Sequence, residues 1–234
     1  VNKSPYETLH NNLVPLFNVI NYVKKKKLKS KIIFFSSSEV YSSLIETKKI
    51  KFPLTEDNQI MIPNKLINRD SYFLSKFFGE KIVEMSGLDY VNLRPHNIYG
   101  PRMGRSHVIP ELIEKINSNH KFVKIFSPNH QRAFCYIDDA IEQIIKLSLD
   151  KNINKKTYNI GNMKQEIKIY DLAKRIKKLL NSKSSLKKFH VTLGSPYRRI
   201  PSMKKTLNHF KLKNKTKFCS LNEGLLKTID WYLK

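Results

Sequence analysis

The order of secondary-structure signals between residues 31 and 95 restricts the fold more than any other feature. Lys31-Ile32-Ile33-Phe34-Phe35 is a short, β-rich apolar run that ends in Ser36-Ser37-Ser38, the pattern of a buried strand. Residues 71–85 read as a helix, with Asp70 placed to cap it and Gly87 placed to close it. Tyr90-Val91-Asn92-Leu93-Arg94-Pro95 reads as a second strand. Strand, helix and strand in this order make a parallel pair, because two parallel strands need a crossover between them. The expected fold class is α/β, built around a parallel sheet. Open parallel sheets bind ligands beyond the carboxyl ends of their strands, which directs attention to residues 36–41 and 94–101.

Around this unit, residues 6–23 read as an amphipathic helix interrupted by Pro15, and residues 44–68 as a long loop. Beyond Gly100 the pattern changes. Helices are expected over 108–116, 138–149, 169–180 and 221–233, and strands over 122–126 and 157–160. A basic, irregular stretch covers 181–218. The spacing places a boundary near residue 100, giving units 1–100 and 101–234 with some later elements returning to the first. Asp138-Asp139 reads as a helix cap rather than a metal site, and no metal is expected.

Composition excludes several function classes. The chain has 234 residues, 40% of them hydrophobic, enough for a sizeable core. No apolar run approaches the roughly 20 residues of a membrane-spanning helix, so no membrane partner is expected. Two cysteines, Cys135 and Cys219, are too few for a disulfide framework, which points to a reducing, cytoplasmic setting. The net charge of +25 invites a nucleic-acid reading, but the basic residues are 36 Lys and only 8 Arg, spread along the chain. Specific nucleic-acid recognition leans on bidentate Arg contacts. The one tight run, residues 24–27, closes a helix, where cations suit the helix dipole. No nucleic-acid partner is expected.

Tyr72 and Lys76 stand four apart on the predicted helix, so phenol and ammonium share a face. A phenol with a pKa of about 10 needs roughly 4 kcal/mol of phenolate stabilisation to act as a base near pH 7. A nearby ammonium and a positively charged nicotinamide could supply it, and a serine across the site could hold the substrate oxygen. The spacing also occurs at Tyr22/Lys26 and Tyr170/Lys174. Only Tyr72 lies between a serine-rich strand end and Asn97.

Several motifs in this order resemble the extended short-chain dehydrogenase/reductases that act on nucleotide sugars, the NAD-dependent epimerases, dehydratases and decarboxylases. They are Ser36-Ser37-Ser38-Glu39-Val40-Tyr41, Tyr72-x-x-x-Lys76 and Arg94-Pro95-x-Asn97-x-Tyr99-Gly100-Pro101-Arg102. Further on come Arg132-Ala133-Phe134-Cys135-Tyr136-Ile137-Asp138-Asp139, Tyr158-Asn159-Ile160-Gly161-Asn162 and Glu223-Gly224-Leu225 with Trp231-Tyr232. The likeness covers the whole chain. It implies a partial Rossmann NAD-binding domain over 1–100 and a nucleotide-sugar lobe over 101–234.

The resemblance also implies roles. Ser37 falls on the catalytic Ser/Thr position, Tyr72 on the base and Lys76 on the residue that also holds the nicotinamide ribose. Glu39 joins the catalytic set, or orients the serine loop. Asn11 and the main chain of His96 fall near cofactor contacts. Asn97, Phe126, Arg132 and Arg199 fall on positions that hold the nucleotide and its diphosphate, for which arginine is chemically suited. The implied cofactor is NAD, with NADP open, the implied substrate is a nucleotide-diphosphate sugar, and a homodimer is implied through helices around Leu13 and Phe77.

The implied reaction oxidises a sugar hydroxyl, at C4, and epimerase-like chemistry is favoured because it needs the fewest additional groups. A 4,6-dehydratase has an Asp-Glu pair where this chain has Ser38 and Glu39. A UDP-glucuronate decarboxylase has Thr-Ser-Glu, which Ser37-Ser38-Glu39 approaches, but His107 stands where an arginine would receive the carboxylate, with Arg102 and Arg105 nearby. The family also opens with a strand and a G-x-x-G-x-x-G turn for the pyrophosphate. Among the seven glycines here no two are three apart. The chain is therefore expected to be N-terminally truncated, and this polypeptide alone to bind NAD poorly and turn over nothing. The non-enzyme alternative is an inactive relative serving as a binding protein.

Overall fold

The structure, a computed structural model, describes residues 4–48, 50–118, 120–210 and 217–234. In chain order the first elements are α1 (Pro5–Lys25), β1 (Ile32–Phe35), a 3-10 turn (Ser38–Tyr41), α2 (Ser42–Glu46), α3 (Asp70–Met85), β2 (Tyr90–Pro95) and β3 (Ile98–Tyr99). Then follow α4 (Val108–Asn117), β4 (Phe122–Ile125), β5 (Gln131–Ala133), β6 (Cys135–Tyr136), α5 (Ile137–Leu149) and β7 (Lys156–Ile160). The last are β8 (Glu166–Lys168), α6 (Ile169–Leu179), β9 (Ser185–Lys188), β10 (Arg198–Arg199), α7 (Lys204–His209) and α8 (Leu221–Leu233).

The predicted strand–helix–strand unit forms. β1 pairs with β2 in parallel, Ile32 opposite Tyr90, and β2 pairs in parallel with β7, Pro95 opposite Ile160. Alternation along the strands divides the side chains between two faces. Ile32, Phe34 and Tyr90 pack with Ile20 and Val23 of α1 and Val83 of α3. Ile33, Val91, Leu93, Tyr158 and Ile160 pack on the other face with Ala140 and Leu147 of α5. This is a Rossmann-type α/β layer. A second core joins Tyr99, Ile113 of α4, Ile125, Leu172 and Ile176 of α6, and Leu225 of α8. Above it, β10 and β8 flank β5, and β9 pairs with β4 in parallel.

Several expectations change. Pro15 does not interrupt α1, which runs unbroken through it. Pro15 is exposed, and the packing of Ile20 and Val23 holds the helix beyond it. The segment 44–68 is not loop throughout, since α2 occupies its start, and 181–218 contains β9, β10 and α7. Asp70 begins α3 rather than capping it, and its carboxylate accepts from the Ile67 N–H at 2.8 Å. Asp138-Asp139 does not cap α5, which has no side-chain cap; Asp139 instead accepts from the Cys219 N–H at 3.0 Å, fastening the approach to α8.

Candidate active site

The chemistry gathers at the carboxyl end of β1. The Ser36 N–H donates to Leu93 O at 2.8 Å, which carries the sheet register one residue past the strand. Ser37 then caps the 3-10 turn, its hydroxyl accepting from the Glu39 N–H at 3.2 Å. Tyr72, on the first turns of α3, lies near the Ser37 side chain, which acts on its phenol. One turn on, the Lys76 ammonium donates to Phe35 O at 2.9 Å and lies 5.6 Å from the centre of the Tyr72 ring. Ser37, Tyr72 and Lys76 are thus brought together.

Their electrostatics differ from the sequence argument. Burial raises the Tyr72 phenol above its ordinary pKa of 10.0; the Ser37 side chain opposes that rise and the charge of Glu39 adds to it. Burial lowers Lys76. Its ammonium is taken up by a main-chain carbonyl. The free protein therefore keeps the phenol protonated.

Glu39 sits beside this trio under a cluster of guanidiniums. Its carboxylate accepts from both Nη atoms of Arg199 at 3.0 Å, from Ser42 Oγ at 2.8 Å and from Arg69 at 3.5 Å. Burial alone would raise its pKa, but the charges of Arg199 and Arg69, with hydrogen bonds from Arg199 and Ser42, hold it down at about 2. Arg132 lies in the same field. Burial, then Arg199 and Arg69, push it down to about 9, against the pull of Glu39.

Arg69 also lines a cavity of about 310 Å³, with Asn97, Phe126 and Arg132. Asn97 adopts a left-handed conformation, φ 44°, and its side chain donates to Ala133 O at 3.2 Å. Phe126 meets Phe189 and His190 edge to face, with centroids 5.1 and 5.0 Å away. Three of the four residues expected at the nucleotide and diphosphate therefore share one cavity, while Arg199 is engaged by Glu39 behind it.

Beneath the serine loop lies a buried polar network. Arg94 forms a two-point pair with Glu80 at 2.8 and 2.7 Å and donates to Tyr41 Oη at 2.8 Å. Tyr41 donates to Asn159 Oδ1 at 3.0 Å, and His96 Nε2 meets the same oxygen at 3.0 Å. That oxygen only accepts, so His96 carries its proton on Nε2. Burial lowers the His96 pKa to about 3, so the ring is neutral. The His96 N–H is also used, donating to Ile160 O at 2.8 Å.

Two positions are not gathered in. Asn11 is exposed on α1, its side chain meeting only its neighbour His10 at 3.3 Å; it is Asn12 that reaches α3, donating to Ser75 Oγ at 2.8 Å. His107 is exposed at the start of α4 and stands outside the cavity lining. Sequence reasoning also missed Arg69, His130 and Ser195, all of which line the cavity. For His130 a signal existed: it stands two residues before Arg132, the spacing that puts side chains on one face of a strand.

Comparison with known proteins agrees with this architecture. A family model described as the NAD dependent epimerase/dehydratase family matches residues 1–161. A UDP-N-acetyl-alpha-D-glucosaminuronate decarboxylase of Bacillus cytotoxicus is 31% identical over 219 residues, covering 88% of this chain and 64% of that protein. A UDP-D-apiose/UDP-D-xylose synthase of Arabidopsis thaliana is 27% identical, covering 74% of this chain and 51% of that protein. The chain thus spans about half to two thirds of the length of these relatives. Among solved structures, the UDP-glucose 4-epimerase of Thermotoga maritima superposes with a TM-score of 0.82 at 23% identity, over 99% of this chain and 72% of that one. A UDP-N-acetylglucosamine 4-epimerase of Methanobrevibacter ruminantium gives 0.77 at 25% identity, over 95% and 69%. With the family model covering more than half of its length, the chain belongs to the NAD-dependent epimerase/dehydratase family.

Proposed function

We propose that this chain supplies the proton-transfer centre and sugar-nucleotide lobe of an NAD-dependent enzyme that oxidises a hydroxyl, at C4, of a nucleotide-diphosphate sugar in an epimerase-like reaction. The observation that carries this reading is the Ser37–Tyr72–Lys76 grouping at the end of β1, with Glu39 and its partner Arg69 between it and a cavity lined by Arg132 and Phe126. Residues 1–100 form the cofactor side and 101–234 most of the substrate side.

The residues present fit the nicotinamide-ribose half of NAD. Tyr72 and Lys76 are side by side, and the buried Ser36 hydroxyl has no partner. The diphosphate half calls for a glycine-rich turn, for which this sequence has no matching glycine spacing. NAD, when bound, supplies the two-electron oxidant. The chain's own residues do the rest. Ser37 holds the substrate hydroxyl, Tyr72 takes its proton, and Lys76 anchors the ribose beside the phenol. Arg132 and Asn97 face the diphosphate, and Phe126 the base. Because Tyr72 is protonated in the free protein, its activation belongs to the loaded site.

A second reading, decarboxylation of a nucleotide-linked uronate, is favoured by one observation. Arg69 and Arg132 both line the cavity, where their guanidiniums could receive a carboxylate, while Arg199 is already paired with Glu39.

A homodimer through α1 and α3 is supported by exposed Val14, Phe17 and Tyr22 on α1 and Phe78 on α3, and sedimentation of the purified protein tests it. The free cysteines support a cytoplasmic setting, and among the described residues no helix is long and apolar enough to cross a membrane.

The test is turnover by the protein as its source cell makes it, with UDP-glucose or UDP-glucuronate and NAD or NADP. Products are read by NMR, and Tyr72→Phe is the control. An epimer supports the first reading, a pentose product supports the second, and no turnover of any nucleotide sugar overturns both.

A further inference from the structure

Ser195 stands on the connection between β9 and β10, and its hydroxyl touches two residues of the cavity wall. Arg132 Nη2 donates to Ser195 Oγ at 3.0 Å, and His130 Nδ1 lies 3.2 Å from the same oxygen. A guanidinium can only donate, so the oxygen accepts from Arg132 and its own proton is directed to His130 Nδ1. This orders the three groups in one direction and leaves the His130 proton on Nε2. The other arm of Arg132 is held as well, Nη1 donating to Gln131 O at 2.8 Å.

The connection carrying Ser195 has a second fastening. Ser127, in a left-handed conformation with φ 48°, accepts from the Thr192 N–H at 2.9 Å, and its own N–H donates to His190 O at 3.0 Å. His130 is 8% exposed, and its N–H donates to Ser127 O at 3.0 Å. The cavity wall and the segment over it are thus tied at Ser127 and at Ser195.

We propose that Ser195 and His130 are positioning residues for Arg132, and that the His130–Ser195–Arg132 relay makes binding of a nucleotide-sugar diphosphate proton-linked. The proposal rests on the nucleotide-sugar reading above. The charged and titratable groups around His130 are Arg132 on β5, which begins just after it, Lys124 on β4, Glu111 and Lys115 on α4, Arg69 before α3 and His190 on the connection fastened to Ser127. Glu111 and Lys115 pair with each other, and Arg69 with Glu39. On the flanking strands, Lys168 of β8 is exposed and Arg198 of β10 is engaged by Glu166. The charge that acts on His130 is that of Arg132, two residues away and joined to it through Ser195.

Burial, then the Arg132 charge, holds His130 below its ordinary pKa. A diphosphate seated on Arg132 cancels the second effect and adds attraction of its own. The bound complex therefore takes up a proton at His130 Nδ1 more readily than the free protein; the imidazolium then donates to Ser195 Oγ, which keeps its bond from Arg132 and turns its own proton outward, and binding tightens as pH falls. The expected effect is binding up to about tenfold tighter at the acid end of the range.

The test is calorimetric titration of the full chain with UDP-glucose, whose diphosphate diester does not itself ionise over the range, between pH 5 and 8. The wild-type protein is expected to bind more tightly at low pH. His130→Gln keeps an acceptor for Ser195 and is expected to lose the pH dependence of binding, whatever its affinity at pH 8. Ser195→Ala is expected to bind about tenfold more weakly throughout, and Ser195→Thr to restore binding. Equal pH slopes in wild type and His130→Gln, or undiminished affinity in Ser195→Ala, overturn the relay while leaving the nucleotide-sugar reading intact. No binding by any protein at any pH overturns that reading and the proton linkage together. In that case the imidazole ¹⁵N spectrum of the free protein still decides the positioning role: the Nε2–H form of His130 in wild type must be lost in Ser195→Ala, and an unchanged spectrum rejects it.

Discussion

Glu39 and Arg199, 160 positions apart in the sequence, meet in a two-point ion pair with both N···O distances 3.0 Å. Each was expected to serve the substrate, the one as a catalytic carboxylate and the other on the diphosphate. Instead each is the other's partner in the free protein, and Arg69 adds a second guanidinium. A carboxylate held at about 2 is ionised at every working pH and has no proton to give. Its charge raises the Tyr72 phenol on one side and Arg132 on the other.

Removing that charge tests this arrangement. Glu39→Gln leaves Arg69, Arg132 and Arg199 facing one another, and is expected to lose about 3 kcal/mol of stability in urea unfolding. The wild-type contribution has a definite sign with pH. The Glu39 pKa falls from 4.5 to about 2 on folding, so its stabilisation is complete above about 4.5 and is lost as pH falls towards 2. The Gln variant lacks that acid-limb loss; an unchanged acid limb would count against the pairing.

Tyr72 is expected to remain un-ionised in the free protein at neutral and mildly alkaline pH, because burial raises its phenol. Ultraviolet difference titration of wild type against Tyr72→Phe reads this group alone, and a phenolate signal near pH 8 would contradict the structure. Glu39→Gln removes one of the effects that raise the phenol and is expected to lower its pKa. In the turnover assay, Tyr72→Phe is expected to lower kcat by about 10²- to 10⁴-fold, the range for loss of a positioned base.

His96 gives the fold a second acid sensitivity. Its pKa drops from 6.5 to about 3 on folding because the ring is buried, so the unfolded chain binds the proton first. Stability is present above about 6.5 and falls with pH down to about 3, at no more than about 1.4 kcal/mol per pH unit. His96→Phe removes this slope. A variant with the wild-type pH dependence of urea unfolding would show that His96 is not buried neutral.

Two glycines are expected to respond differently to alanine. A Cβ at Gly224 would stand 2.2 Å from Tyr99 Oη and 2.8 Å from Tyr136 Cδ2, and both tyrosines are buried. At Gly79 it would stand 2.2 Å from the tip of the Phe34 ring, which is only half-buried and can turn away. Gly224→Ala is expected to cost about 2–3 kcal/mol and Gly79→Ala clearly less. Thermal unfolding of both variants checks the order, and equal losses would contradict it.

Much of the fold was legible because its signals are local. A buried strand, a helix of crossover length and a second strand leave few arrangements, and element order, rather than spacing, separates Tyr72 and Lys76 from Tyr22/Lys26 and Tyr170/Lys174. Pro15 and the stretch 181–218 were misjudged for the opposite reason. A proline's local penalty is outweighed by packing of α1 on the sheet, and β9 and β10 exist only through their partners β4 and β5, far away in sequence.

The amino-acid order by itself determined the parallel α/β layer and the placing of Tyr72 and Lys76 on one face of the helix at its edge, since helix and strand periodicity and four-residue spacing are properties of neighbouring residues. Only the tertiary structure decided which charges neutralise one another. Coulomb attraction and burial depend on distance in space. The pairing of Glu39 with Arg199, the taking of Lys76 by a carbonyl, and the joining of His130 to Arg132 through Ser195 all required segments remote in sequence to meet.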